Sequence, residues 1–91
     1  VTLGRKTASE KVASFLLLIA RHIDPAADPA AKSAVFDLPL TRADIADFLG
    51  LTIETVSRQF TKLRSERIIR VDHNRRVTVE SLARLEARAG D

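Results

Sequence analysis

The sequence predicts a mainly α fold with a small β wing, a winged helix-turn-helix, on three observations. A short helical stretch ends at Gly50 and a second one begins at Thr52. At 100° per residue the second stretch divides into an apolar side (Val56, Phe60, Leu63) and a polar side (Glu54, Ser57, Arg58, Thr61, Ser65). Two short β-branched runs then follow, Ile68-Ile69-Arg70-Val71-Asp72 and Arg76-Val77-Thr78-Val79, with His73-Asn74-Arg75 as the turn between them.

Each element has a local reason. Thr7-Ala8-Ser9-Glu10 has the spacing of a capping box, with Thr7 at the cap and Glu10 reaching back. Val12, Phe15, Leu16, Ile19 and Ile23 then recur at helical spacing, and Asp24-Pro25 stops the helix. Pro25 to Ser33 reads as an Ala/Pro/Asp loop, and Ala34 to Leu38 as a short strand ending at Pro39. Thr41 caps a second helix whose apolar side is Ile45, Ala46, Phe48 and Leu49. Gly50 suits the sharp turn because a positive φ costs least there. Thr52 caps the third helix, which runs to about Glu66. A last helix, about Glu80 to Arg88, turns Leu82 and Leu85 inward.

Composition narrows the function classes. Ninety-one residues make one domain or part of one. There is no Cys, so neither a disulfide framework nor a thiolate metal site is available, which fits a cytoplasmic protein. The apolar run Phe15 to Ala20 is far short of the roughly 20 residues of a membrane span, so no membrane partner is expected. No signal peptide is visible. No Met occurs either, and the expectation is a piece of a longer protein. His22 and His73 are the only histidines and make an improbable metal site. No serine sits in a nucleophile motif, and the three glycines form no phosphate loop, so no catalytic residue is expected.

The net charge of +3 is unevenly spread. Residues 49–76 hold seven bases against three acids, whereas residues 23–48 hold five acids against two bases. A basic half beside an acidic half points to one polyanion-facing surface, and the competing explanation is a solvated charged face.

The polar side of the third helix has chemistry that suits a DNA groove. Arg58 can donate two hydrogen bonds to guanine, Glu54 can accept from a cytosine amino group, and Ser57 can sit against a thymine edge. Two bland explanations compete. Glu54 is favourable in a first helical turn through the dipole alone, and Glu54 and Arg58 are spaced to pair with each other. For the DNA backbone the candidates are Arg42 at the start of the second helix, Thr52, Thr55, Thr61 and Lys62 around the reading face, and Arg75 and Arg76 at the wing turn. The alternative function is a winged helix used for protein–protein contact, which would expose apolar anchors instead.

The run TRADIADFLGLTIETVSRQFTKL, from Thr41 to Leu63, resembles the DNA-binding domain of the CRP/FNR family of bacterial transcription regulators. The opening GRKTASEKVASFLL, Gly4 to Leu17, resembles that family's FNR/FixK branch. Ile53 and Ser57 stand where the cyclic-AMP-receptor branch carries Arg and Gly, and Gln59 departs from the apolar residue usual after the arginine. The resemblance implies a TTGA-type half-site in an inverted repeat, bound by a homodimer, with activation of transcription. It assigns base reading to Glu54, Ser57 and Arg58. It makes residues 1–6 a hinge after a dimerisation helix and residues 7–91 the DNA-binding domain. It also implies a possible RNA polymerase contact through the loop at 24–33. No cofactor is expected in this chain; any effector or iron–sulfur site would belong to a preceding sensory domain.

Overall fold

The computed structural model describes residues 6–22, 32–73 and 75–90. The element order is α1 (Ala8–His22), β1 (Ala34–Asp37), α2 (Arg42–Leu49), α3 (Ile53–Ser65), β2 (Ile69–Asp72), β3 (Arg76–Val79) and α4 (Leu82–Ala89).

The capping box forms as expected. Glu10 N–H donates to Thr7 Oγ1 at 3.2 Å, and Thr7 N–H donates to Glu10 Oε1 at 2.9 Å. The Thr7 backbone N–H, and then its side chain, hold the Glu10 carboxyl below its ordinary pKa by hydrogen bonding to it. A depressed carboxylate contributes stability above its unfolded pKa, and that stability is lost as pH falls through the folded value. Glu10→Gln should therefore flatten part of the acid limb of the stability curve, read by denaturant melts from pH 6 downwards. An acid limb identical to the parent's would show that the box contributes nothing there.

α1 is the central helix. Val12, Ala13, Phe15, Leu16 and Leu17 are all buried, a wider face than the expected stripe. The reason is tertiary: α4, α3 and β1 all pack against it. The described part of α1 ends at His22, and the stop expected at Asp24-Pro25 and the residue Ile23 lie outside the described residues. α4 begins later than expected, at Leu82 behind the cap Ser81, and buries Leu85 and Ala89 with Leu82 half-covered.

The wing carries a third strand. β1 pairs with β3 as well as β2 does, giving the antiparallel order β1-β3-β2. The register puts Phe36, Val77 and Val71 in one row and Ala34, Val79 and Ile69 in the next. Side chains alternate across a strand, so these rows form the inner face and Val35, Thr78 and Arg70 the outer one. His73 occupies the turn with φ 54°.

One apolar position departs from expectation. Ile45, Ala46 and Leu49 of α2 are buried, but Phe48 is 60% exposed. Its ring leans on Phe15 at 5.8 Å between centroids, tilted by 56°.

Gly50 closes α2 with φ +70°. Leu51 N–H donates to Ala46 O at 2.8 Å and Gly50 N–H to Asp47 O, the paired bonds of a Schellman end. Nothing lies within 4 Å of a Cβ built there. Gly50→Ala should thus cost only the left-handed φ, about 1–2 kcal/mol, with no steric term. A thermal melt checks this, and an unchanged midpoint would mean the turn relaxes freely.

Candidate nucleic-acid interface

α3 starts with a second cap. Thr55 N–H donates to Thr52 Oγ1 at 3.1 Å, and the Thr52 hydroxyl donates to Thr55 Oγ1 at 2.9 Å. Its apolar side is anchored as the periodicity predicts, with Val56, Phe60 and Leu63 all buried. That anchorage turns Glu54, Ser57, Arg58, Thr61 and Ser65 outward, and all five are exposed.

Among the described residues, neither Glu54 nor Arg58 has a hydrogen-bond or ion-pair partner. The i, i+4 surface pair that competed with base reading is therefore not made. Ile53 stands beside them, 51% exposed at the front of the helix. Its apolar side chain is not among the residues that the sequence marks for base reading, and its place in the first turn is what brings it to this face.

The backbone candidates divide by what already occupies them. The hydroxyls of Thr52 and Thr55 bond each other, and Thr61 Oγ1 donates to Ser57 O at 3.0 Å. Arg42 is half-buried, with its guanidinium carbon 4.0 Å from the centre of the Phe60 ring. Burial, then the charge of Arg64, lowers its pKa, yet an arginine stays charged at any working pH. Arg42 thus stacks on the helix-turn-helix core as a cation–π contact, and what remains available is the guanidinium edge.

Arg76 is similarly engaged. Its Nε donates to Asp37 Oδ1 at 3.2 Å, and the register sets it opposite both Asp37 and Asp72. Arg75 is exposed in the turn, and no described residue pairs with its side chain. Lys62 is exposed next to the outward face.

Gln59 is half-buried, and its Oε1 is shut off from solvent with no hydrogen-bond partner. An unsatisfied buried acceptor costs about 1–3 kcal/mol. Gln59→Leu should raise stability by about 1 kcal/mol and leave the salt dependence of DNA binding unchanged. A lower melting midpoint would contradict the packing argument; a smaller salt slope would indicate a phosphate contact instead.

The described residues offer no group of three or more His, Cys, Asp or Glu side chains able to hold a metal. None of their helices is long and apolar enough to cross a membrane.

The model of the Crp-like helix-turn-helix domain matches residues 10–88. The chain belongs to that family. Its fold is similar to that of the FixK2 structure from Bradyrhizobium japonicum, with a TM-score of 0.76 and 40% identity over 94% of this chain and 40% of that one. A probable transcriptional activator from Rhizobium leguminosarum bv. viciae is 58% identical over 94% of this chain and 35% of its own length. The transcriptional activator protein FnrL of Cereibacter sphaeroides is 50% identical over 98% of this chain and 36% of its own. The Crp-like domain thus spans roughly a third of the length of these curated relatives. It is a DNA-binding helix-turn-helix domain of the kind carried by transcriptional activators and not an enzyme.

Proposed function

We propose that this domain reads a TTGA-type half-site through Glu54, Ser57 and Arg58, and that two copies engage an inverted repeat to activate transcription. The observation that carries this reading is the exposed pair Glu54 and Arg58, with no partner among the described residues, at the front of a helix whose other side is buried. A recognition helix contacts base edges with its N-terminal residues, and a carboxylate and a guanidinium one turn apart suit a cytosine amino group and a guanine edge. Ile53 adds an apolar surface suited to a thymine methyl group.

Arg75 and Lys62 supply the main phosphate contacts because no described residue occupies their charges. Arg42 offers one guanidinium edge, and Arg76 contributes only after releasing Asp37. Thr52 and Thr61 donate their hydroxyl protons internally, so their contact is through backbone position, whereas Thr55 Oγ1 accepts from Thr52 and keeps its own proton for a phosphate oxygen. We assign any effector or iron–sulfur site, and the dimer contact, to sequence outside these residues. An RNA polymerase contact through residues 24–33 is part of the same proposal; residues 24–31 lie outside the described ones.

Selection from random duplexes with a covalently linked dimer tests this function. Enrichment of an inverted TTGA-type repeat is the expected result. Enrichment of an unrelated motif, or of none, would overturn the half-site assignment.

A further inference from the structure

α4 is tied to α1 near its C-terminal end and to α3 along one side. At the C-terminal end, Lys6 Nζ donates to Ala89 O at 2.7 Å and to Ser14 Oγ at 2.8 Å. Gly90 lies so close to α1 that a Cβ there would meet Glu10 Oε2 at 2.6 Å. Arg21 of α1 forms an ion pair with Glu86. Leu85 and Ala89 are fully buried. α4 therefore sits firmly on α1.

The link from α4 to α3 is of another kind. The two helices are joined by long polar side chains. Arg84 Nη2 donates to Glu66 O at 2.9 Å and Nη1 to Arg67 O at 3.4 Å. Arg88 forms an ion pair with Glu66. An open cleft of about 650 Å³, lined by Thr7, Glu10, Lys62, Ile68, Arg84 and Arg88 among others, lies beside this link.

The gripped turn is itself unusual. Arg67 N–H donates to Arg64 O and Ile68 N–H to Leu63 O, a Schellman end at which the left-handed residue is Arg67, with φ 59°. A non-glycine residue there is held against a local preference, and Arg84 takes the carbonyl of that very residue.

We infer that α4 is a strut that, added to the direct packing of α3 on α1, fixes the tilt of α3, with Arg84 and Arg88 as positioning residues for its outward face. Thirteen residues make a helix roughly 20 Å long. A tilt of roughly five degrees at the gripped end displaces the backbone at Glu54 by about 1.5 Å and at Arg58, nearer the middle of the helix, by about 1 Å, enough to stretch a hydrogen bond of ordinary length beyond its range. The consequence for sequence choice rests on the base-reading proposal; the strut itself does not.

The test reads orientation and discrimination separately. Residual dipolar couplings of α1 and α3 amides would be measured in the 91-residue chain and in Arg84→Gln, Arg88→Glu, Glu66→Arg and the Arg88→Glu/Glu66→Arg swap. Arg84→Lys serves as the milder variant if Arg84→Gln fails to fold, since a lysine keeps the charge but loses the planar two-nitrogen fork. All measurements are made well below each melting midpoint. The expected result is a rotation of α3 against α1 in each single variant and its recovery in the charge swap, which leaves net charge unchanged. Preference for an inverted TTGA-type duplex over a scrambled one should fall roughly threefold or more in the singles and return in the swap. Unchanged couplings in Arg84→Gln and both single swaps would overturn the strut, even where stability falls. Equal loss of affinity for both duplexes without rotation would make Arg84 a phosphate contact and overturn it too. Rotation in a protein that never discriminates between duplexes would retain the strut and reject the base reading.

Discussion

Arg58→Ala is expected to lose about 1–3 kcal/mol of discrimination between an inverted TTGA-type duplex and a scrambled one, roughly 5- to 150-fold. The residue is exposed and has no described partner, so truncation leaves no buried charge behind and the loss reports on DNA alone. Arg58→Lys separates geometry from charge. A lysine keeps the positive charge but not the planar fork, so discrimination should fall while the salt slope stays close to the parent's. Arg75→Ala should do the opposite, weakening both duplexes alike and lowering the slope by about one. Titrations at two or more salt concentrations distinguish the three. Unchanged discrimination in Arg58→Ala would sink the base-reading assignment.

Phe60→Ala should remove the cooperative melt. The ring is 3% exposed at the centre of the buried side of α3, and truncating such a residue costs about 3–5 kcal/mol. A small domain near the lower end of the usual range, about 5 kcal/mol in total, has little left after that. The ring also carries the Arg42 guanidinium, so Phe60→Ala strips one wall from a half-buried cation. Phe60→Leu separates the two effects. It keeps most of the apolar volume and loses the stack, which is worth about 0.5–2 kcal/mol. A double-mutant cycle of Phe60→Leu with Arg42→Gln measures that coupling; additive losses would mean that the two side chains touch without a net attraction.

Much of the fold was legible because its signals are local. Thr7, Thr41 and Thr52 cap the helices at which their spacing placed them. Gly50 takes the left-handed conformation that its place between two helical patterns required. The division of α3 into buried Val56, Phe60 and Leu63 and exposed Glu54, Ser57 and Arg58 follows from helical geometry alone. The readings that fell short needed a partner distant in sequence. Phe48 has the right spacing for the α2 core yet remains 60% exposed, its ring resting on Phe15 at the edge of the core. The Ala34–Asp37 strand was recognisable, but its pairing with β3 was not, since the partner lies about forty residues on.

The same distinction runs through the candidate interface. By itself the sequence determined the winged helix-turn-helix class, the caps, the turn and the outward face of α3, because dihedral preference, side-chain period and capping are short-range properties of the chain. Only the tertiary structure decided which charges remain available. It stacked Arg42 on Phe60, set Arg76 against Asp37, engaged Arg84 and Arg88 at the end of α3, and gave Glu54, Arg58 and Arg75 no described partner. A side-chain charge acts over a few ångströms in space, and which groups fall within that distance is settled when remote segments pack.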